Sequence, residues 1–457
     1  MHIKATGGRH GYPIFIPVVP TPRDRCFLTI IDQLCVRDAA PQESEAAMTD
    51  TILEAATEAG SPHSAHFSRL ASDIPTWQPR SAEVQRDQIA AYDAMRQRCP
   101  VARSDAGYTA VFRHADALTV VNDHATFSSA VSRFPSVPNG MDPPEHTPFR
   151  ALIEPYFDER HMAEFAPTCH QVARTLVSST PTNISIEFIS EFAQIFALQI
   201  QCAWLGWPES LHEPLRQWTL KNHRATLSGD RTEQAAVATE FDDTIRQLLD
   251  VRRAAGGTVP EDITAHLMRN ESLGRRLNDE EIVSILRNWT VGELGTIAAS
   301  VGILVHYLAA HASVQSLLRQ APEHLPAAID EILRIHPPLI LNRRITTREV
   351  KLGGHLLPRG TRLAVLWASA NRDESVFGDP NEFRLDRDAS HNLLYGAGIH
   401  VCPGAPLARL ELHAVMQALL QGTDWIALDP TKPACNAAYP GSGFTSLHIE
   451  LRKHAPD

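Results

Sequence analysis

Ten residues, Tyr395-Gly396-Ala397-Gly398-Ile399-His400-Val401-Cys402-Pro403-Gly404, present one cysteine in a setting suited to metal chemistry. Three glycines and a proline exclude a regular helix or strand and predict a tight loop whose backbone can approach a ligand closely. Beyond it, Leu407, Leu410, Ala414, Val415, Ala418 and Leu419 recur at helical spacing, with Gly422 where a C-terminal cap is expected. Cys402 is therefore expected just ahead of a helix N-terminus, where free N–H groups and the helix dipole favour a thiolate. A soft thiolate suits haem iron, zinc or an iron–sulfur cluster. Zinc would need about three further ligands, and the chain has no Cys-x-x-Cys pair. A cluster would need about four closely spaced cysteines, whereas the seven present (Cys26, Cys35, Cys99, Cys169, Cys202, Cys402, Cys435) are scattered. One thiolate on one iron, with a porphyrin supplying the other ligands, fits best.

Three further groups of residues could serve such a centre. Asn278 and Glu281 form a capping box, and the apolar pattern from Ile282 to about His311 predicts a helix of roughly 30 residues and therefore roughly 45 Å, enough to cross a domain. Inside it, Gly292 and Gly295 each cost about 1 kcal/mol relative to alanine. Thr296 can bond back to the Gly292 carbonyl and open the helix locally. Glu293 shares a helix face with Thr296 and could either relay protons or pair with a neighbour such as Arg287. Glu331 and Arg334 lie at i and i+3 on a short helix predicted over Pro326 to Ile335, entered by proline and stopped by Pro337 and Pro338. His146 and Arg150 are four apart on a helix opened by Pro143 and Pro144.

The Cys402 segment resembles the haem-binding loop of the cytochrome P450 family: aromatic, Gly, x, Gly, x, His, x, Cys, x, Gly, with Tyr395 where phenylalanine is usual. The resemblance implies a mainly α fold with small β-sheets, a single large triangular haem-thiolate monooxygenase domain over residues 71–452. It implies haem b with Cys402 as iron ligand, bounded by Tyr395, Gly396, His400, Gly404 and Gly292. It implies that His146, Arg150, Arg344 and His400 grip the propionates, and that Glu331, Arg334 and Arg387 form a buried charge network holding the proximal core. By the same likeness Thr296 supports oxygen activation, and Leu339, Ile340, Leu341 and Phe444 line a pocket for a small hydrophobic aromatic or aliphatic substrate. The central helix departs from the family's small-Gly-x-acid-Thr motif: Gly295 takes the acid's place and Glu293 a glycine's, so Glu293 becomes a candidate for a displaced proton relay.

The string from Arg287 to Thr296 is similar to the self-sufficient bacterial subgroup, in which the haem domain is fused to a reductase carrying FMN and a 2Fe–2S cluster. That likeness implies O2 as oxidant, hydroxylation or O-dealkylation as the reaction, and two electrons from NAD(P)H through a reductase this chain does not contain. A peroxide-driven peroxygenase and a non-catalytic haem-thiolate gas sensor are the alternatives.

The composition suits a large soluble enzyme: 43% hydrophobic, 21% charged, net charge −11. An acidic chain argues against nucleic acid as partner. No 18-residue apolar run suggests a membrane anchor, and scattered cysteines point to a reducing cytoplasm. Residues 1–70, with Pro13, Pro17, Pro20 and Pro22 and a weakly patterned run from Ala40 to His66, read as an extension. Met48 offers an alternative start that would leave residues 1–47 upstream of the native chain. Residues 453–457 read as a tail or the start of a linker.

Overall fold

A computed structural model describes residues 74–453 except 133–135 and 256–260; these belong to a compact unit spanning Pro62–Asp457. The expectations for the extension, the alternative start and the end of the tail lie outside the described residues.

Helices dominate, as expected, and six of them position the chemistry: α1 (His146–Ile153), α2 (Glu159–Ser179), α3 (Gln194–Leu205), α4 (Asp279–Ala310), α5 (Leu325–Ile335) and α6 (Ala405–Gly422). The capping box opens α4 where the sequence placed it: Glu281 N–H donates to the Asn278 side chain and Asn278 N–H to Glu281, both at 2.9 Å. α4 is the spine. Val301, Leu304 and Val305 meet Phe192, Phe196 and Ile200 on one side and Val415 and Leu419 of α6 on another. Its first half, through Ile282, Ile285 and Leu286, joins a second core with Leu215, Phe241 and Leu249.

A helix so enveloped must be apolar nearly all round. By length and composition α4 could therefore cross a membrane, but 61% of its apolar window is buried within the protein. The expectation that no such apolar stretch exists thus needs amending. The predicted opening at Thr296 is also absent: α4 is helical throughout, and the Thr296 carbonyl accepts the Ser300 hydroxyl at 2.7 Å. What interrupts α4 is its covering. Val291, Gly292 and Gly295, at three- to four-residue spacing, leave an open stripe.

Six strands form the larger sheet: β1 (Thr76–Trp77), β2 (Val101–Ser104), β3 (Thr109–Val111), β4 (Phe127–Ser128), β5 (Leu341–Thr346) and β6 (Arg362–Leu366), in the order β1-β2-β3-β6-β5-β4. β3 runs parallel to β6 with Ala110 opposite Ala364, and β5 antiparallel to β6 with Arg344 opposite Leu363. Along β5, Arg344 and Thr346 share one face and are buried, with half-buried Ile345 between them on the other, while Asn342 and Arg343 at the start of the strand are exposed. Ile340, just before β5, is 3% exposed and packs with Trp77, Tyr92, Phe112 and Leu366. It is a core residue rather than a pocket residue.

Gly422 corrects another expectation. It is the last residue of α6, is not left-handed, and is followed by extended Thr423. Its small size answers packing instead, since a Cβ there would lie 2.7 Å from Val177 of α2.

Candidate active site

The cysteine loop owes its shape to two glycines. Gly396 and Gly398 have φ of +73° and +71°, and a Cβ on Gly398 would lie 2.3 Å from the Val121 carbonyl oxygen. The chain thereby reverses, and Cys402 N–H donates to Tyr395 O at 2.8 Å. Tyr395 lies under the Arg409 guanidinium, 4.4 Å from the ring centroid. α6 starts three residues after Cys402, and the N–H groups of Gly404 and Ala405 point at its sulfur. The side chain is exposed although protein crowds around it. Burial pushes the thiol up, outweighing those N–H groups and Arg150. The helix terminus alone thus does not make a thiolate; a cation at the sulfur would.

Around this point gather donors with too few acceptors. His146 on α1 and His400 in the loop are T-shaped with centroids 4.5 Å apart, and the Nε2 of each is buried without a partner. Burial, then Arg344 and His146, push His400 down to about 4; burial, then Arg150, lower His146. Arg344 is 6% exposed and donates to the Arg343 carbonyl at 2.7 Å. The nearby carboxylate, Asp142, is already engaged by Ser128 and by Ser129 N–H. A buried guanidinium without an anion, beside two imidazoles whose Nε2 atoms lack partners, calls for an anionic ligand. The residues present therefore fit a haem: Cys402 would take the iron, and His146, Arg344 and His400 the propionates. Arg150 is engaged otherwise, donating to Val401 O at 2.7 Å and Glu154 at 2.8 Å, so it ties α1 to the cysteine loop.

The open stripe of α4 supplies the other boundary. Nothing lies within 4 Å of a Cβ placed on Gly292 or Gly295, and Thr296 is half-buried beside them. Leu339 is 43% exposed, Leu341 is half-buried, and Phe444 lies against His306 with centroids 4.5 Å apart. Arg287 pairs with Asp242 at 2.6 Å. The Glu293 carboxyl is raised by burial, as is that of Glu411 on α6, and Glu293 Oε1 and both Glu411 oxygens are buried without a hydrogen-bond partner. Glu411 was missed in the sequence, although the signal was there: an acid midway between Leu407 and Val415 on an apolar helix face.

The cytochrome P450 family profile matches residues 206–438. The chain is 31% identical over 363 residues to cyclomarin C epoxidase CymV of Salinispora arenicola, covering 75% of this chain and 90% of that one. The chain belongs to the cytochrome P450 family. Erythromycin C-12 hydroxylase of Saccharopolyspora erythraea is 30% identical over 339 residues, covering 71% of this P450 and 84% of the relative. Open EryK from S. erythraea superposes with a TM-score of 0.74 at 27% identity, covering 82% and 98% of the two chains. CYP109Q5 from Chondromyces apiculatus gives 0.75 at 25%, covering 84% and 100%. This P450 is thus a monooxygenase whose family implies a haem-thiolate cofactor.

Beneath the cysteine loop of this P450, Glu331 accepts from Arg334 at 2.7 and 2.9 Å and from Arg387 at 2.9 Å. Arg334, 1% exposed, also donates to Asn371 O at 2.8 Å and Pro380 O at 3.0 Å. Arg387 in turn reaches Phe377 O and Asp379. Every charge in the set has its partner, the condition under which buried ion pairs are tolerated.

Proposed function

We propose that this P450 inserts one oxygen atom from O2 into a small aromatic or aliphatic substrate, by hydroxylation or O-dealkylation, in the cytoplasm. Two electrons come from NAD(P)H through a reductase carrying FMN and a 2Fe–2S cluster, as the likeness of Arg287–Thr296 to the self-sufficient subgroup suggests. The observation carrying this reading is Cys402 at the head of α6, accompanied by unmatched buried donors and the uncovered stripe of α4. When bound, the haem supplies oxygen activation, with the Cys402 thiolate donating electron density that favours O–O cleavage.

The chain's own residues do the rest. Gly292 and Gly295 leave room over α4, Leu339, Leu341 and Phe444 offer apolar surface to orient a substrate, and the Thr296 hydroxyl handles protons at the open stripe with Glu293 as the acid behind it. Thr296→Ala is expected to retain substrate binding, read as spin-state titration, while product formation falls by about 10²-fold and peroxide is released instead. Undiminished product yield would remove Thr296 from proton handling.

Turnover with NAD(P)H and an FMN/2Fe–2S reductase is expected to exceed turnover with hydrogen peroxide on the same alkoxy-aromatic substrates; the reverse ranking would establish a peroxygenase. The relatives named for cyclomarin C and erythromycin favour a second substrate class, larger natural products. Spin-state titration with both classes separates the two.

A further inference from the structure

The hairpin that carries Phe444 is held from its far side. Strands Cys435–Asn436 and Phe444–Ser446 pair antiparallel with Asn436 opposite Phe444, and Ala437 N–H donates to Gly443 O at 2.9 Å to close the tip. Gly443, at φ +76°, turns the chain onto α4, where a Cβ on it would lie 3.4 Å from Ile303 and 3.5 Å from Ala299, one turn beyond Thr296. Phe444 then packs against the α4 core, its ring centroid 4.5 Å from that of His306. Tyr439, at the tip, belongs to a different core, with Trp77, Tyr92 and Phe112. Only residues 440–443 separate the two anchorages, so a displacement of one is passed to the other.

Two glutamines decide where the tip sits. Gln88, at the start of the helix Gln88–Arg98, donates through Nε2 to Ala437 O at 2.8 Å and Gly441 O at 3.4 Å, while its Oε1 accepts the Tyr92 hydroxyl at 2.8 Å. Gln85, on the short helix Ala82–Arg86, accepts Tyr439 N–H at 2.9 Å and donates to Pro79 O at 3.0 Å. A side-chain amide on a surface helix ordinarily faces water, whereas these two are spent on chain 349 to 354 positions away. Backbone groups of the tip that lost these partners would be left under-satisfied in a half-buried setting, which is costly. The frame is completed where the Tyr108 and Tyr439 hydroxyls meet at 2.5 Å and Ser442 Oγ donates to Pro337 O at 2.5 Å, two positions before Leu339. The tip thus ties both Phe444 and Leu339 to one support. We propose that Gln85 and Gln88 are positioning residues for the substrate: by fixing the tip they set how far Phe444 and Leu339 reach toward the open stripe of α4, and hence which position of a bound substrate is oxidised. This role rests on the reading in which Phe444 lines the substrate pocket. The glutamines act through the hairpin alone and take no part in the chemistry.

Gln88→Leu keeps the bulk of the side chain and removes both donors and the acceptor. In hydrogen-exchange mass spectrometry of the holoenzyme, this variant is expected to exchange about fivefold faster at the tip and onward through Phe444–Ser446, the loss of a hydrogen bond of ordinary strength. Exchange in α4 and the red-shifted ferrous–CO band are expected to match the wild type. With para-methoxytoluene as probe, which offers an O-methyl and a ring methyl, the ratio of O-demethylation to methyl hydroxylation is expected to shift by about fivefold. Gln85→Leu is expected to move both readouts in the same direction. Gln88→Lys, which can still donate to both carbonyls, is expected to return exchange and product ratio toward the wild type, a rescue that a purely packing role would not give. Faster exchange that stops short of Phe444, or a product ratio unchanged in both leucine variants while Phe444→Leu alters it, overturns the positioning role. A ratio unchanged in Phe444→Leu would instead overturn the reading of Phe444 as a pocket residue, whatever the glutamine variants show.

Discussion

Replacing Cys402 by serine is expected to abolish monooxygenation and the strongly red-shifted ferrous–CO Soret band while leaving the fold intact. The contacts that shape the loop do not use the sulfur: Gly396 and Gly398 adopt their left-handed conformations, and Cys402 N–H donates to Tyr395 O, whatever the side chain. A serine hydroxyl is smaller than the thiol and can accept from Gly404 and Ala405 N–H in its place. What it lacks is the soft anion that iron selects and that donates charge to it. Circular dichroism and melting should therefore match the wild type, while product falls to background. A C402S protein that kept the red-shifted band would show that another residue binds the iron.

What was legible in the sequence had local causes. The start of α4 follows from the reciprocal bonds of Asn278 and Glu281, three residues apart. The cysteine loop follows from glycines whose conformation few other residues adopt. Pairing of Glu331 with Arg334 follows from their spacing, although only burial, 6% and 1%, separates it from a solvated helix pair.

The rest depended on what the rest of the chain brings near. Helical spacing put Glu293 on one face with Thr296, but the partner that defines its chemistry, Glu411, comes from 118 positions later in the chain. Ile340 sits among apolar neighbours in sequence, and only the sheet decides that it packs under Trp77 while Leu339 stays open. Thr296 was expected to break α4. Its helical hydrogen bonding continues through that turn, and room for a ligand comes from the missing side chains of Gly292 and Gly295 instead. Arg150 carried the right charge for a propionate, but its reach to Val401 O was set by where α1 docks.

Arg334→Met is expected to be the most destabilising single change outside the cysteine loop. Methionine approximates the buried volume but removes both bonds to Glu331 and those to Asn371 O and Pro380 O. Glu331 then keeps only Arg387 and the Arg384 N–H in an interior where an under-compensated charge is costly. Breaking such a pair costs about 3–5 kcal/mol, against a total stability of about 5–15 kcal/mol for an ordinary domain. The damage should travel to the iron ligand. Arg334 holds Asn371 O at 2.8 Å, Asn371 Oδ1 accepts Leu393 N–H at 2.7 Å, and Leu393 O accepts Gly396 N–H at 2.9 Å, so the guanidinium is three bonds from the cysteine loop. In a urea titration followed by ferrous–CO spectra, the variant is therefore expected to lose its red-shifted band well before its helical signal, whereas the wild type loses both together. Arg160→Ala, at the exposed Arg160–Glu164 pair, serves as the control with no measurable change. Coincident loss of band and helix in Arg334→Met, at the wild-type midpoint, would mean that the buried network does not support the thiolate.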